Sequence, residues 1–187
     1  MNTECLEKNI YQSMTWCPGR TRTPGVRKRV YFLPKHFILG WPEHGSGDNK
    51  GKYVGNFTLA DGKYFNYMDV VTNDSKITAE TQGEYPCKTF RQHGEAFYPG
   101  LEEDITDFEE KAINDDLVFV FQLSNGKFKV VGCEEYRTDV NCSSDTGSAA
   151  TDKMGVTITI ETDAPHDCLI YEGRIPVGAG EDANPSD

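Results

Sequence analysis

Between Lys8 and Pro42 the chain has no aspartate or glutamate, only seven lysines and arginines, although its formal net charge is −11. Other absences narrow the chemistry. The six cysteines (Cys5, Cys17, Cys87, Cys133, Cys142 and Cys168) form no C-x-x-C pair, which removes the usual redox and zinc-ribbon spacings. No P-loop, G-x-G-x-x-G or EF-hand loop occurs. No stretch approaches the ~18 consecutive apolar residues of a membrane helix. The first residues, MNTECLEKNIYQSM, lack the apolar core of a secretory leader. Reduced thiols are therefore expected, and the sequons at Asn56, Asn73 and Asn141 are read as incidental. No repeat with a period of about 20–50 residues is visible.

The charge that is present is divided. Residues 43–187 hold twelve basic and twenty-eight acidic side chains, whereas RTRTPGVRKR, residues 20–29, holds five of the nineteen cations. So acidic a body should repel a phosphate backbone, because nucleic-acid affinity comes largely from cations that displace counterions. A basic arm on an acidic body suits contact between copies of the chain. Arg20, Arg22, Arg27, Lys28 and Arg29 are the candidate subunit-contact residues. With Trp16 and Tyr31 nearby, the same cations also allow a nucleic-acid reading, in which they track phosphates while the rings stack on bases.

At 187 residues one domain is the default, and such a chain buries roughly 70% of its unfolded surface without metal or disulfide. The division expected is an extended N-terminal arm over 1–28, one β domain over 29–175 and a mobile acidic tail over 176–187. Val30–Leu33 and Phe37–Leu39 read as a strand broken by Pro34, which points to an edge or a bulge. Residues 45–51 read as a flexible loop. Tyr53–Leu59 and Lys63–Val71 flank Asp61-Gly62, and Leu117–Phe121 and Phe128–Val131 flank Asn125-Gly126. Both dipeptides suit type I′ hairpins. Leu117–Phe121 is apolar on both faces and reads as central. Weaker strands are expected at Ile77–Thr81 and Lys88–Phe97. Residues 141–155 are small and polar, a loop. Val156, Ile158 and Ile160 alternate with polar residues as in a half-buried strand, and Cys168–Tyr171 reads as the last strand.

One helix is predicted, at about residues 101–113. Leu101, Ile105, Phe108 and Ala112 recur at spacings that make a single stripe, and Glu102, Glu103 and Asp104 occupy its first turn, where the dipole favours negative charge. Its other face carries Asp107, Glu109 and Glu110. The sum is a mainly β fold, an antiparallel β-sandwich or barrel-like body of seven to nine strands with one flanking helix.

Catalysis finds little footing. His36, His44, His93 and His166 are dispersed, and His166-Asp167-Cys168 is the one His/Cys neighbourhood, without further metal-ligand spacing. The helix carboxylates have the pattern of a solvated face rather than of a glycosidase pair set across a cleft. No enzyme activity, cofactor or metal is expected.

VYFLPKHFILGWP, YVGNFTLADGKYF, TQGEYPCKTFRQHGEAFYPG and DDLVFVFQLSNGKFKVVG, in that order, resemble the structural proteins of tailed bacteriophages and prophages of Bacteroides-type hosts, most closely their major tail, or tail tube, proteins. The likeness spans roughly residues 15–175 and rests on the order of segments. It implies a virion tail component, assembled in the bacterial cytoplasm, that forms stacked rings, often of six subunits. DNA would pass through without specific binding, and no membrane is involved. On that reading the basic arm docks on an acidic patch of a neighbour. Glu102, Glu103, Asp107, Glu109 and Glu110, or the 141–155 loop, would then face the channel or the next ring. The alternatives are another virion part (head–tail connector, tail terminator or head decoration protein) and a carbohydrate-binding β-sandwich presenting Trp41, Tyr64 and Tyr67.

Overall fold

A computed structural model describes residues 24–46, 50–149, 151–178 and 181–183. The fold is mainly β with one helix. Its middle layer is a seven-stranded sheet in the order β3-β4-β13-β10-β9-β1-β6. Those strands are β1 (Val26–Pro34), β3 (Glu43–His44), β4 (Lys52–Val54), β6 (Asn66–Asp69), β9 (Leu117–Leu123), β10 (Phe128–Val131) and β13 (Ile170–Tyr171). All its pairs are antiparallel except β13 with β4. A four-stranded antiparallel sheet, β11-β12-β8-β7, faces it. It is built from β7 (Lys76–Gln82), β8 (Thr89–Pro99), β11 (Thr138–Asp145) and β12 (Gly155–Ala164). Two small sheets complete the fold: β2 (Ile38–Gly40) with β5 (Thr58–Leu59), and β14 (Ile175–Val177) with β15 (Glu181–Ala183).

The layering follows from β9. All but the last of its residues are buried. Leu117, Phe119 and Phe121 belong to one apolar cluster, shared with Val156, Ile158 and Ile160 of the four-stranded sheet. Val118 and Val120 belong to a second, with Phe57, Phe65, Tyr171 and Ile175. A strand apolar on both faces needs a cover on both, and the small sheets with their connecting loops supply the second one. The helix α1 (Glu103–Ala112) buries Ile105 and Ala112. It sets Phe108 edge-on to Phe32 of β1, ring centres 5.0 Å apart, as its apolar stripe requires.

Two polar hubs tie the layers. Gln92 of β8 is fully buried. Its amide nitrogen donates to the His166 carbonyl at 3.0 Å, and its amide oxygen accepts from the Gly132 N–H at 2.9 Å. Asp116, just before β9, accepts from the Thr138 N–H at 2.9 Å and pairs with Lys35 Nζ at 2.9 Å. Nearby, Gly94 carries no side chain where a Cβ would lie 3.1 Å from the Phe121 ring, so the two sheets approach closely there.

Several expectations change. The Asp61-Gly62 hairpin does not form: β5 pairs with β2, and β6 pairs with β1. A type I′ turn needs positive φ at both central residues, and among the described residues only glycines have it. For the same reason Asn125-Gly126 is not type I′. The β9–β10 connection is a three-residue loop closed by Leu123 N–H to Lys127 O at 2.7 Å, with Gly126 in the left-handed region. Pro34 closes β1 opposite Leu117 rather than marking a free edge, and a 3-10 turn over Lys35–Phe37 separates it from β2. β1 starts at Val26, inside the expected arm. Residues 141–145 are strand, not loop. Strands β14 and β15 follow Tyr171, the latter inside the expected tail, and the described residues hold fifteen strands. The excess is mostly two- and three-residue strands, too short to show a period.

Gln92→Leu should leave the Gly132 N–H and the His166 carbonyl without partners and cost about 2–4 kcal/mol. The check is a lower urea midpoint with an unchanged slope. A midpoint equal to wild type would remove Gln92 as a tie between the layers.

Candidate functional site: a polar sheet face with open edges

The outer face of the four-stranded sheet is the most distinctive surface. Along β12, Val156, Ile158 and Ile160 point inward, while Thr157, Thr159 and Glu161 alternate outward. The registry places Glu161 beside His93 on one side and Asp139 on the other, and Asp163 beside Arg91. β7 contributes Lys76, Thr78 and Glu80 opposite Glu95, His93 and Arg91. The outward row thus carries Glu80, Glu95, Asp139, Asp145, Glu161 and Asp163 against Lys76 and Arg91, with Arg137 beside it, 3.8 Å from Asp139.

Cross-strand pairs order it. Arg91 meets Glu161 at 2.6 Å and Lys76 meets Glu95 at 2.8 Å. Gln82 Nε2 donates to Asp163 at 2.7 Å across the intervening β8. The Arg91 hydrogen bond holds the Glu161 carboxyl below its ordinary range against the opposing effect of partial burial, with His93 helping.

Among the described residues no strand lies outside β7 or β11. Unpaired edges are templates for another chain. β7 and β11 run in opposite directions, because three antiparallel steps separate them.

The basic residues divide. Arg20 and Arg22 lie outside the described residues, as do Trp16, Cys5 and Cys17. Arg27, Lys28 and Arg29 belong to β1, not to a free arm. Lys28 Nζ and Arg29 Nε reach Asp69 of β6 at 3.0 and 3.2 Å, and the Arg29 guanidinium lies 4.0 Å over the Tyr67 ring. They close the β1–β6 seam of their own chain. Burial acts to raise the Asp69 carboxyl, but the hydrogen bonds from Lys28 and Arg29 outweigh it and hold it below its ordinary range.

Of the helix acids, Glu103, Asp107 and Glu110 are exposed at i, i+4 and i+7 and share one stripe of α1, and Glu102 and Glu109 lie off that stripe. Glu102 accepts from the Tyr98 hydroxyl at 3.1 Å. Asp107 pairs with Lys111 at 2.6 Å beside a groove along β6. Glu109 is partly buried on the side of Cys142, and Glu103 and Glu110 are exposed. The sheet carboxylates were missed in the sequence because they come from four separate strands, each of which reads only as polar alternation.

His166 lies near His44, ring centres 5.5 Å apart, and near Tyr53, whose hydroxyl is 3.4 Å from His166 Nε2. These residues line a cleft of about 500 Å³ with Trp41, Glu134 and Glu135. Among the described residues no three His, Cys, Asp or Glu side chains are grouped to hold a metal. No helix among them is long and apolar enough to cross a membrane. Trp41 packs edge-on against Phe57 and Tyr67 lies under Arg29, so these two rings are engaged by their own chain. Cys87, Cys133, Cys142 and Cys168 are free thiols. Burial pushes the Cys168 thiol up to about 12 and the Cys142 thiol up to about 11. No protein family, curated protein or solved structure matches this chain.

Two outcomes follow. Asp69 and Glu161 have carboxyls depressed in the folded state, so their contribution is complete above the unfolded carboxylate range. It is lost as pH falls below about 4 through the folded values. Melting temperature should drop over that range, and Asp69→Asn should flatten part of the drop. An unaltered pH profile in that variant would contradict it. Of the four described thiols, exposed Cys87 should react with a maleimide at pH 7.5 at least about tenfold faster than Cys133, Cys142 or Cys168, since the thiolate is the nucleophile. Peptide mass mapping reads this directly.

Proposed function

We propose that this chain is a self-assembling tail tube subunit of a tailed bacteriophage or prophage, forming stacked rings around a channel for genome delivery. The observation that carries the reading is the polar four-stranded sheet, open at both edges. Pairing β7 of one copy with β11 of the next continues the antiparallel alternation. It is a head-to-tail contact, which closes into a ring when the rotation per copy divides the circle. The outward row of the sheet then lines the bore. Its carboxylates outnumber its cations, and a wall of that sign passes DNA without the phosphate contacts that would retain it. This moves the acidic channel wall from the helix to the sheet. The resemblance noted above points to the same assembly.

Negative-stain electron microscopy with light scattering tests the reading. Rings or tubes with an open bore are expected. Closed rings that never stack would favour a connector or terminator, and a monomer at every concentration would oppose self-assembly. Proline tests the edge. Of adjacent residues on an edge strand, one N–H faces the partner and the next faces outward. Of Thr78→Pro and Ala79→Pro, the variant that leaves the monomer folded should therefore abolish rings. Normal rings from both would exclude pairing through β7.

A further inference from the structure

The middle sheet ends at β6, outside which no strand lies among the described residues, and this edge is not bare. Beside it runs a groove made of two adjoining hollows of about 440 and 380 Å³ that share Phe32, Asn66, Asp104 and Phe108. The groove lies between β6 and α1. Phe32, Phe108 and Ile105 give it an apolar floor, and on the helix side stand Asp104, Asp107 and Asp115 against one cation, Lys111, which pairs with Asp107 at 2.6 Å. Val70 N–H donates to Lys28 O at 2.6 Å. By antiparallel alternation Met68 and Asn66 also turn their backbone groups toward β1, and Tyr67 and Asp69 turn theirs outward. An edge with outward donors and acceptors, next to an apolar trough, is the geometry of strand addition.

We infer that the groove receives residues 20–23, Arg-Thr-Arg-Thr, of a second copy of this chain, added as a strand on β6. The inference rests on the self-assembly reading above and names the contact. Charge selects the occupant. In an extended segment Arg20 and Arg22 fall on one side, ~7 Å apart, and Asp104 and Asp107 stand one helical turn apart at ~5–6 Å. Thr21 and Thr23, on the other side, are β-formers. Reach excludes the chain's own segment. Ser124 fixes Pro24 and Gly25 through bonds of 3.0 and 3.2 Å at the far end of β1. Arg29 is the β1 residue opposite Asp69, five residues beyond Pro24, or ~16 Å along the sheet. The outer edge of β6 is a further two strand spacings across, ~10 Å. Thr23 is one residue from Pro24, so the segment must come from another molecule. The acidic cleft with Glu134 and Glu135 is a poorer receiver, because its edge strand β3 has only two residues.

Charge exchange in the full chain tests this, read by light scattering as the concentration of half-assembly. Arg20→Glu/Arg22→Glu and Asp104→Lys/Asp107→Lys should each raise it at least about tenfold, and combining all four should restore it to within about threefold. Glu134→Lys/Glu135→Lys should leave it unchanged. Circular dichroism checks that each variant is folded. Doubles that assemble like wild type, or a combination no better than its weaker parent, would overturn the groove contact while leaving ring formation intact. If the wild type never assembles, the self-assembly reading fails on its own, and a labelled peptide of residues 14–25 titrated onto the full chain decides the groove. Saturable binding weakened about tenfold by Asp104→Lys/Asp107→Lys supports it, and no binding overturns it.

Discussion

The buried amide of Gln92 is the contact on which the arrangement of layers depends. It has no exposed surface, and it joins β8 of one sheet to the end of β10 in the other and to the loop at His166. Apolar contact between sheets is non-directional and tolerates sliding. A hydrogen bond does not, and a misplaced one leaves buried groups unpaired. Gln92 thus fixes the four-stranded sheet at one position over the middle sheet, and Gly94, two residues on, lets the Phe121 ring fill the close approach.

That fixed position leaves one face of the outer sheet without a covering layer among the described residues. The face is orderly: Arg91–Glu161 and Lys76–Glu95 cross strands, and Gln82 reaches over β8 to Asp163. Exposed pairs of this kind contribute little stability. Their effect is on shape and sign, since they hold long side chains flat and leave carboxylates in excess. A surface so arranged suits a wall that touches its cargo weakly.

The seam of β1 with β6 serves the other side of the molecule. Lys28 and Arg29 are spent on Asp69. The basic segment that looked uniform in the sequence therefore has two parts, one that closes the β1–β6 seam and one, Arg20 and Arg22, that precedes the anchor at Pro24. Reversing Lys28 and Arg29 would act on folding before it acted on assembly.

By itself the sequence determined the composition of the layers. The apolar run Leu117–Phe121, the alternation Val156–Ile160 and the stripe Leu101–Ala112 are local periodicities, and local periodicity decides which side of an element meets the core. It also determined the charge asymmetry. The hairpin of β9 with β10 around Asn125-Gly126 was legible too, although its turn type was not; the remaining pairings were decided by tertiary structure. Asp61-Gly62 looked like a hairpin, but Phe57 and Phe65 are buried in one cluster with Tyr171, and filling that cluster draws β5 to β2 and β6 to β1. Burial of distant aromatics outweighs a turn preference. The sheet carboxylates meet for the same reason: their strands are separated in sequence, and only the registry of β7, β8, β12 and β11 brings Glu80, Arg91, Asp163 and Asp139 onto one face.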